Sequence, residues 1–206
     1  NMPWDDTQLC VASLKEMTLT NQKVVKSKAE SFFQPEWDDQ GNLYVVSDRN
    51  NWWNLFRVDQ STNDMDLIPL TNIEAEIGLP QWVFGQSRYV FVGDEIWLAY
   101  REAGIDNLAT LLPDGRLEKI EIDATEIESV TNYQDGIVAT VSSWKAESLV
   151  TFVNRKEIRP LSKTRDLGID ENWFPVPETF TYQTSDSEKA HALFYSPTNP
   201  EYEISE

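Results

Sequence analysis

A repeated unit of short strands and turns is the feature that most constrains the fold of this chain. Pro35-Glu36-Trp37 recurs about 45 residues later as Pro80-Gln81-Trp82. Each motif is followed by turn residues and then by a run of strand-forming residues, Leu43-Tyr44-Val45-Val46 in one copy and Tyr89-Val90-Phe91-Val92 in the other. The repetition predicts that Trp37 and Trp82 occupy equivalent places in two copies of one structural unit.

Further strand-like runs complete each copy. They lie at 55–58 and 65–70 in the first copy, at 108–112 and 117–122 in the second, and at 129–133, 137–141, 149–153 and 157–161 in a weaker third copy. Four short strands in roughly 40–50 residues are typical of β-propeller blades. A β-sandwich, which also has short strands at regular spacing, is the alternative, but it does not usually repeat a Pro-x-Trp motif. We therefore predict an all-β chain with very little helix, a partial β-propeller of four-stranded antiparallel blades.

The repeat divides the chain into five segments. We predict a partial blade at 1–30, with strands at 8–14 and 22–25, and full blades at 31–78, 79–126 and 127–170. From 171 onward the repeat ends, two prolines follow, and strands are predicted at 178–184 and 190–195. Because the first residue is Asn1, we expect the chain to be part of a longer protein.

The composition excludes several classes of function. The net charge is −18, which argues against a nucleic-acid surface, since such a surface needs clustered Lys and Arg. We expect neither a membrane span nor a signal peptide, because the sequence shows no apolar run of the necessary length and no basic leader followed by an apolar stretch. One histidine and one cysteine exclude the usual zinc sites, and we expect no cofactor. The single Cys10 fits a reducing compartment, or simply a domain without disulfides; we predict a cytoplasmic location and expect Cys10 to be buried and structural.

Four segments resemble the prolyl oligopeptidase family of serine peptidases, close to its dipeptidyl-aminopeptidase and acylaminoacyl-peptidase branch. These segments are 1–5, 47–56, 80–85 (Pro-Gln-Trp-Val-Phe-Gly) and 190–200. The resemblance covers nearly the whole chain in order. It implies that residues 1–170 belong to the later blades of a propeller, and that 171–206 begin the crossing into a C-terminal α/β-hydrolase domain.

No segment of the sequence supplies the catalytic elements of such a hydrolase. The nearest approach to a Gly-x-Ser-x-Gly elbow is Gly85-Gln86-Ser87-Arg88-Tyr89, which lacks the last glycine and lies between predicted strands. The only histidine, His191, precedes any hydrolase core, so we interpret it as a framework residue. We therefore expect no catalytic residue in this chain and no peptidase activity from it alone.

Four polar residues remain as candidates for contact with a peptide substrate. Asp48 and Arg49 lie in a turn next to two tryptophans, where the alternative is a tight turn with a local ion pair. Glu74 and Glu76 lie on the connection into the next blade, and a carboxylate there could bind a peptide's α-amino group.

Two functions remain open at this point. The first is the non-catalytic propeller portion of a serine peptidase, which gates access of short peptides to the hydrolase domain and helps to position them. The second is a stand-alone WD40-like propeller that binds other proteins. In either case, exposed blade faces predict self-association of the chain.

Overall fold

The computed structural model describes residues 2, 4–5, 7–27, 29–166 and 168–202. These residues form sixteen β-strands and one short 3-10 helix at Glu171–Trp173. The strands are β1 (Cys10–Lys15), β2 (Thr18–Val24), β3 (Phe32–Trp37), β4 (Leu43–Ser47), β5 (Asn54–Val58), β6 (Leu67–Pro69), β7 (Tyr89–Val92), β8 (Glu95–Glu102), β9 (Ile105–Leu111), β10 (Leu117–Ile120), β11 (Glu126–Tyr133), β12 (Gly136–Ser143), β13 (Ala146–Val153), β14 (Ile158–Pro160), β15 (Glu178–Gln183) and β16 (Lys189–Phe194).

The strands form three successive four-stranded sheets and two hairpins. β3 to β6 form the first sheet, β7 to β10 the second and β11 to β14 the third, each in chain order and antiparallel throughout. β1 pairs with β2, and β15 pairs with β16. The predicted all-β fold of four-stranded antiparallel blades is confirmed. The division into five residue ranges stays a prediction, and residues 1, 3, 6, 28 and 203–206 of its end segments lie outside the described residues.

The sheets stack face to face because their strands are apolar on both faces. Successive strand residues point to opposite faces, so Val45 packs in the cluster shared with Leu9 and Val25, whereas Val46 packs in the cluster shared with Tyr89. A third cluster lies between the second and third sheets. This double burial explains why the strand-forming runs of the sequence are nearly continuous rather than alternating with polar residues.

The first strands of the three sheets lie next to one another. Gln34 of β3 donates from Nε2 to the Tyr89 carbonyl of β7 (2.7 Å) and to Ser87 Oγ (3.1 Å). Ser87 Oγ in turn donates to the Val130 carbonyl of β11 (2.6 Å). Gln34 has a positive φ of 48° in a β-bulge, which turns its side chain toward the next sheet and lets Pro35 remain in the strand. The edge formed by these first strands is the inner edge of the stack.

The predicted equivalence of Trp37 and Trp82 is wrong. Trp37 ends β3, whereas Trp82 lies in the connection between β6 and β7, outside any strand. The second sheet begins at Tyr89 rather than near Pro80, so 89–92 is a first strand and 43–46 belongs to a second strand. The turn at Gly93, with φ of 59°, leads into β8, a strand that the sequence analysis missed.

Cys10 is exposed rather than buried, which corrects a second expectation. It lies at the start of β1, which pairs with β2 alone, so much of this two-stranded hairpin is in contact with solvent.

The third sheet also has an exposed apolar surface. Tyr133, Val150 and Leu161 are each between two-fifths and one-half exposed and lie on the side of the sheet that faces away from the second sheet. We call this side the outer face of the third sheet.

One end of the stacked sheets carries the longest connections. Because the strands are antiparallel, residues 48–53, 70–88 and 103–104 all lie at the end where β3 and β7 begin. The β15–β16 hairpin packs at this same end, where it forms a groove of about 270 Å³ with Ala103 and Gly104. Tyr195, just after β16, contacts Trp144 of the third sheet with ring centroids 5.9 Å apart. We call this end of the molecule the loop end.

Candidate substrate-facing surface

The connection 70–88 is held firmly against the loop end. The Glu76 amide donates to the Arg101 carbonyl (2.9 Å), and the Arg101 amide donates back to the Glu76 carbonyl (2.8 Å). The next amide, that of Ile77, donates to the Trp53 carbonyl (2.8 Å). At Gly78 a Cβ atom would lie 2.7 Å from the indole of Trp53, so only glycine allows this close approach. The connection therefore joins the first and second sheets.

Asp48 and Glu76 lie at the same end of the stacked sheets, and the charge of Asp48 acts on Glu76 although 27 residues separate them in the chain. Asp48 Oδ1 accepts a hydrogen bond from the Ser31 amide (2.7 Å), and Glu76 Oε2 accepts one from the Trp53 amide (2.8 Å). Partial burial raises the pKa of Glu76, the Trp53 hydrogen bond opposes this rise, and the negative charge of Asp48 adds to it. Two carboxylates placed in this way generate a local negative potential that attracts a cationic group.

Arg49 and Glu74 do not join this pair. Arg49 forms a bidentate ion pair with Glu30, through Nε (2.9 Å) and Nη2 (2.8 Å), and its guanidinium lies 5.4 Å from the Phe56 ring centre. The Glu30 side chain is buried and also accepts from Ser47 Oγ at 2.5 Å. Arg49 therefore anchors its turn through a residue distant in the chain rather than through a local ion pair, and its contact with a substrate stays a prediction. Glu74 is exposed, two residues before Glu76.

A buried charged network, which was not predicted from the sequence, lies beneath this surface. Both carboxylate oxygens of Asp106 accept from Arg88 (2.9 and 3.0 Å) and from Arg101 (2.8 and 3.1 Å), and the Ile127 amide donates to Oδ2 (2.8 Å). The side chains of Arg88 and Asp106 are fully buried. Burial alone would raise the pKa of Asp106, but the hydrogen bonds and charges of both arginines outweigh it and lower the pKa.

The same network connects the second sheet to its neighbours. Arg88 also donates to the carbonyls of Ile77 and Ile127, so one guanidinium joins the connection, the second sheet and the third sheet. The signal in the sequence is a charged residue, Arg88, directly before the apolar run 89–92, and this signal does not identify its partner.

Ser87 and His191 have structural partners. Ser87 Oγ donates to the Val130 carbonyl at the inner edge, as given above. His191 Nδ1 lies 2.9 Å from Thr181 Oγ1 across the β15–β16 hairpin, where the two residues are directly paired. Ser87 therefore links the second sheet to the third, and His191 stabilises the pairing of β15 with β16.

Trp82, Val83 and Phe84, which belong both to the sequence repeat and to a segment of the family resemblance, form an exposed apolar loop that was not predicted. Their exposed fractions are 73%, 63% and 106%. The signal that could have identified the loop is three adjacent large apolar residues between Pro80 and Gly85, without the alternation of a strand.

Two features are absent from the residues that the structure describes. Among the residues placed by the structure, no group of three or more His, Cys, Asp or Glu side chains could hold a metal ion. Within the same residues, no helix is long and apolar enough to cross a membrane.

Comparison with solved structures connects this fold to known peptidases, although no family model and no curated protein matches the chain. The crystal structure of puromycin hydrolase matches with a TM-score of 0.86 and 26% identity, over 97% of this chain and 31% of that chain. A puromycin-hydrolyzing peptidase of Mycobacterium tuberculosis matches with a TM-score of 0.88 and 24% identity, over 100% of this chain and 32% of that chain. Prolyl oligopeptidase B from Galerina marginata matches with a TM-score of 0.70 and 14% identity, over 92% of this chain and 27% of that chain.

The chain thus spans about a third of the length of these peptidases or less. The matches below 25% identity show the fold, and the puromycin hydrolase match extends over nearly all of this chain at a somewhat higher identity. Together the structural neighbours establish a β-propeller fold and support the prolyl oligopeptidase family as the family that this chain resembles.

Proposed function

We propose that this chain is the non-catalytic propeller portion of a serine peptidase of the dipeptidyl-aminopeptidase and acylaminoacyl-peptidase type. In this proposal residues 31–78, 79–126 and 127–170 are blades, and residues 171–206 lead toward a C-terminal α/β-hydrolase domain. One observation carries the proposal: the puromycin hydrolase match covers 97% of the chain and therefore includes segments on both sides of residue 170.

The position of the β15–β16 hairpin supports a gating role. The hairpin packs at the loop end, in the groove beside Ala103 and Gly104, so the chain leaves the sheets at that end. A catalytic domain that follows the hairpin would cover the loop end and enclose a chamber between the two domains. A peptide would have to enter this chamber, which admits short or flexible peptides and excludes folded proteins.

Asp48 and Glu76 are the best-placed substrate contacts in this proposal. Both lie at the loop end, where partial burial of Glu76 and, to a lesser extent, the charge of Asp48 raise the pKa of Glu76, so a bound cation would be favourable there. A peptide's α-amino group supplies such a cation. Arg49 would act indirectly, because its ion pair with Glu30 holds the turn that carries Asp48.

The test uses the full-length protein that carries residues 1–206, assayed with puromycin, aminoacyl p-nitroanilides and dipeptidyl p-nitroanilides. Casein and a folded protein serve as large substrates. We expect hydrolysis of the small compounds and no cleavage of the folded protein. A full-length protein that hydrolyses none of these compounds would contradict the proposal and leave the protein-binding platform as the function.

A further inference from the structure

The apolar loop of Trp82, Val83 and Phe84 is exposed because its ends, rather than its tip, are held by the protein. At one end, Gln81 Nε2 donates to the Phe32 carbonyl at the start of β3 (2.9 Å). At the other end, the Arg88 amide donates to Gln34 Oε1 (2.7 Å), just after Ser87 binds the third sheet. Since both ends are fixed to first strands, the loop presents its apolar side chains from a defined place.

That place is the inner edge of the loop end. The loop leads directly into β7, the first strand of the second sheet, and its base is bonded to the first strand of the first sheet. Trp4 packs against Trp82 with ring centroids 4.5 Å apart and an interplanar angle of 57°. The exposed rings of Trp82 and Phe84 therefore lie at the same end of the molecule as the β15–β16 hairpin and the carboxylates of Asp48 and Glu76.

We propose that Trp82 and Phe84 bind the apolar side chain of the peptide substrate and so determine which peptides the enzyme prefers. This inference rests on the proposed function. Burial of a large apolar side chain against two aromatic rings is favourable because it removes apolar surface of both partners from water. The carboxylates at the same end favour a cationic α-amino group, so the chemistry of the loop end suits a peptide with a free amino terminus and a large apolar residue.

The tip of the loop is open to a ligand in the part of the chain that the structure describes. Phe84 is fully exposed and its ring would be available from all sides, and Gly85, with φ of 81°, ends the apolar run at a turn. A small apolar contact of two rings discriminates between side chains without immobilising the product. Contact with the catalytic domain is the competing explanation of the exposed loop, and the experiment below separates the two.

The experiment measures kcat/KM of the full-length protein for p-nitroanilides that carry either phenylalanine or glycine. Each of the two is tested both as an aminoacyl and as a dipeptidyl compound. Wild type is compared with Trp82→Ala and Phe84→Ala. Trp37→Ala is the matched control, because Trp37 is a half-exposed tryptophan at the opposite end of β3. We expect each loop variant to lose about tenfold in kcat/KM for the phenylalanyl compound, mainly through KM, with no change for the glycyl compound. The control should match the wild type for both.

Each other outcome has a definite meaning. Equal losses for both substrates would show that the loop contacts the catalytic domain, and unchanged values would show that it contacts nothing during the reaction. Either result overturns the inference and leaves the proposed function standing. A wild type that hydrolyses neither compound would overturn the proposed function and this inference together. Circular dichroism confirms that the variants are folded, which we expect because both side chains are largely exposed.

Discussion

The Asp106→Asn substitution tests whether the buried charge network holds the second and third sheets together. Asparagine keeps the size of the side chain but removes its charge, so the buried guanidinium of Arg88 loses its counter-ion. Arg101, about one-third exposed, loses the same partner. The side-chain NH2 group of the asparagine would also face N–H donors with no acceptor between them, because Asp106 accepts from both guanidinium groups and from the Ile127 amide.

The expected cost follows from the burial of the pair. Removing one partner of a buried ion pair destabilises a protein by about 3–5 kcal/mol. Most domains have a free energy of unfolding of only about 5–15 kcal/mol. The substitution should therefore lower Tm by roughly 6–20 °C, at about 2–4 °C per kcal/mol for a chain of this size.

Urea denaturation of the 206-residue chain provides the measurement, with Arg155→Gln as the matched control. Arg155 also bridges the second and third sheets, through Glu95 (2.7 Å) and Glu118 (2.6 Å), but its side chain is 41% exposed. An exposed pair contributes at most about 1 kcal/mol. An Asp106→Asn variant that loses no more stability than Arg155→Gln would refute the reasoning.

The pH dependence gives a second check on the same variant. Because the pKa of Asp106 is lowered in the folded state, its contribution is fully present above its ordinary value and is lost as the pH falls through the lowered one. The difference in stability between wild type and Asp106→Asn should therefore shrink below about pH 4. The double variant Arg88→Met, Asp106→Leu should be more stable than Asp106→Asn, because it removes the fully buried guanidinium together with its counter-ion and leaves only the one-third-exposed Arg101 without that partner.

Three further predictions concern other parts of the molecule. Asp48→Asn should lower the pKa of Glu76 in an NMR titration, and an unchanged pKa would contradict the interaction of the two groups. Because the pKa of Glu76 is raised in the folded state, Glu76 favours folding most at low pH, and this contribution is lost as the pH rises through the raised value. Gly136→Ala should cost about 1–3 kcal/mol in urea denaturation, because its Cβ would collide with the Val153 carbonyl oxygen, and wild-type stability would show that the β12 turn differs from the structure. The chain should dimerise at tens of micromolar in sedimentation experiments through apolar surfaces such as the outer face of the third sheet, whereas a monomer would show that these surfaces do not associate.

The third sheet shows how much of the fold could be predicted from sequence. Its four strands follow from strand-forming runs separated by clear turn residues such as Asp135-Gly136, and all four lie where expected. The start of the second sheet could not be predicted correctly, because the two copies of the Pro-x-Trp motif adopt different conformations. Pro35 fits into β3 only because Gln34 forms a bulge, whereas Pro80 lies in a connection whose position depends on contacts with Trp53 and Phe32.

The candidate surface was less predictable because its geometry depends on contacts between sheets. Asp48 and Glu76 were both chosen from sequence, but their interaction arises only when the connection 70–88 crosses the end of the first sheet. Arg49 was expected at the surface, and its ion pair with Glu30 depends on a residue 19 positions earlier in the chain. Local patterns predict which side chains lie in turns, and they do not determine which turns meet.

Fluorophosphonate labelling followed by peptide mapping tests the central claim most directly, that residues 1–206 are a non-catalytic propeller portion of a serine peptidase. The reagent is applied to the full-length protein and to the 206-residue chain under the same conditions. We expect one labelled serine in the full-length protein, located after residue 206, and no label on the isolated chain. A labelled serine within residues 1–206, such as Ser87, or a full-length protein that takes up no label, would contradict the claim.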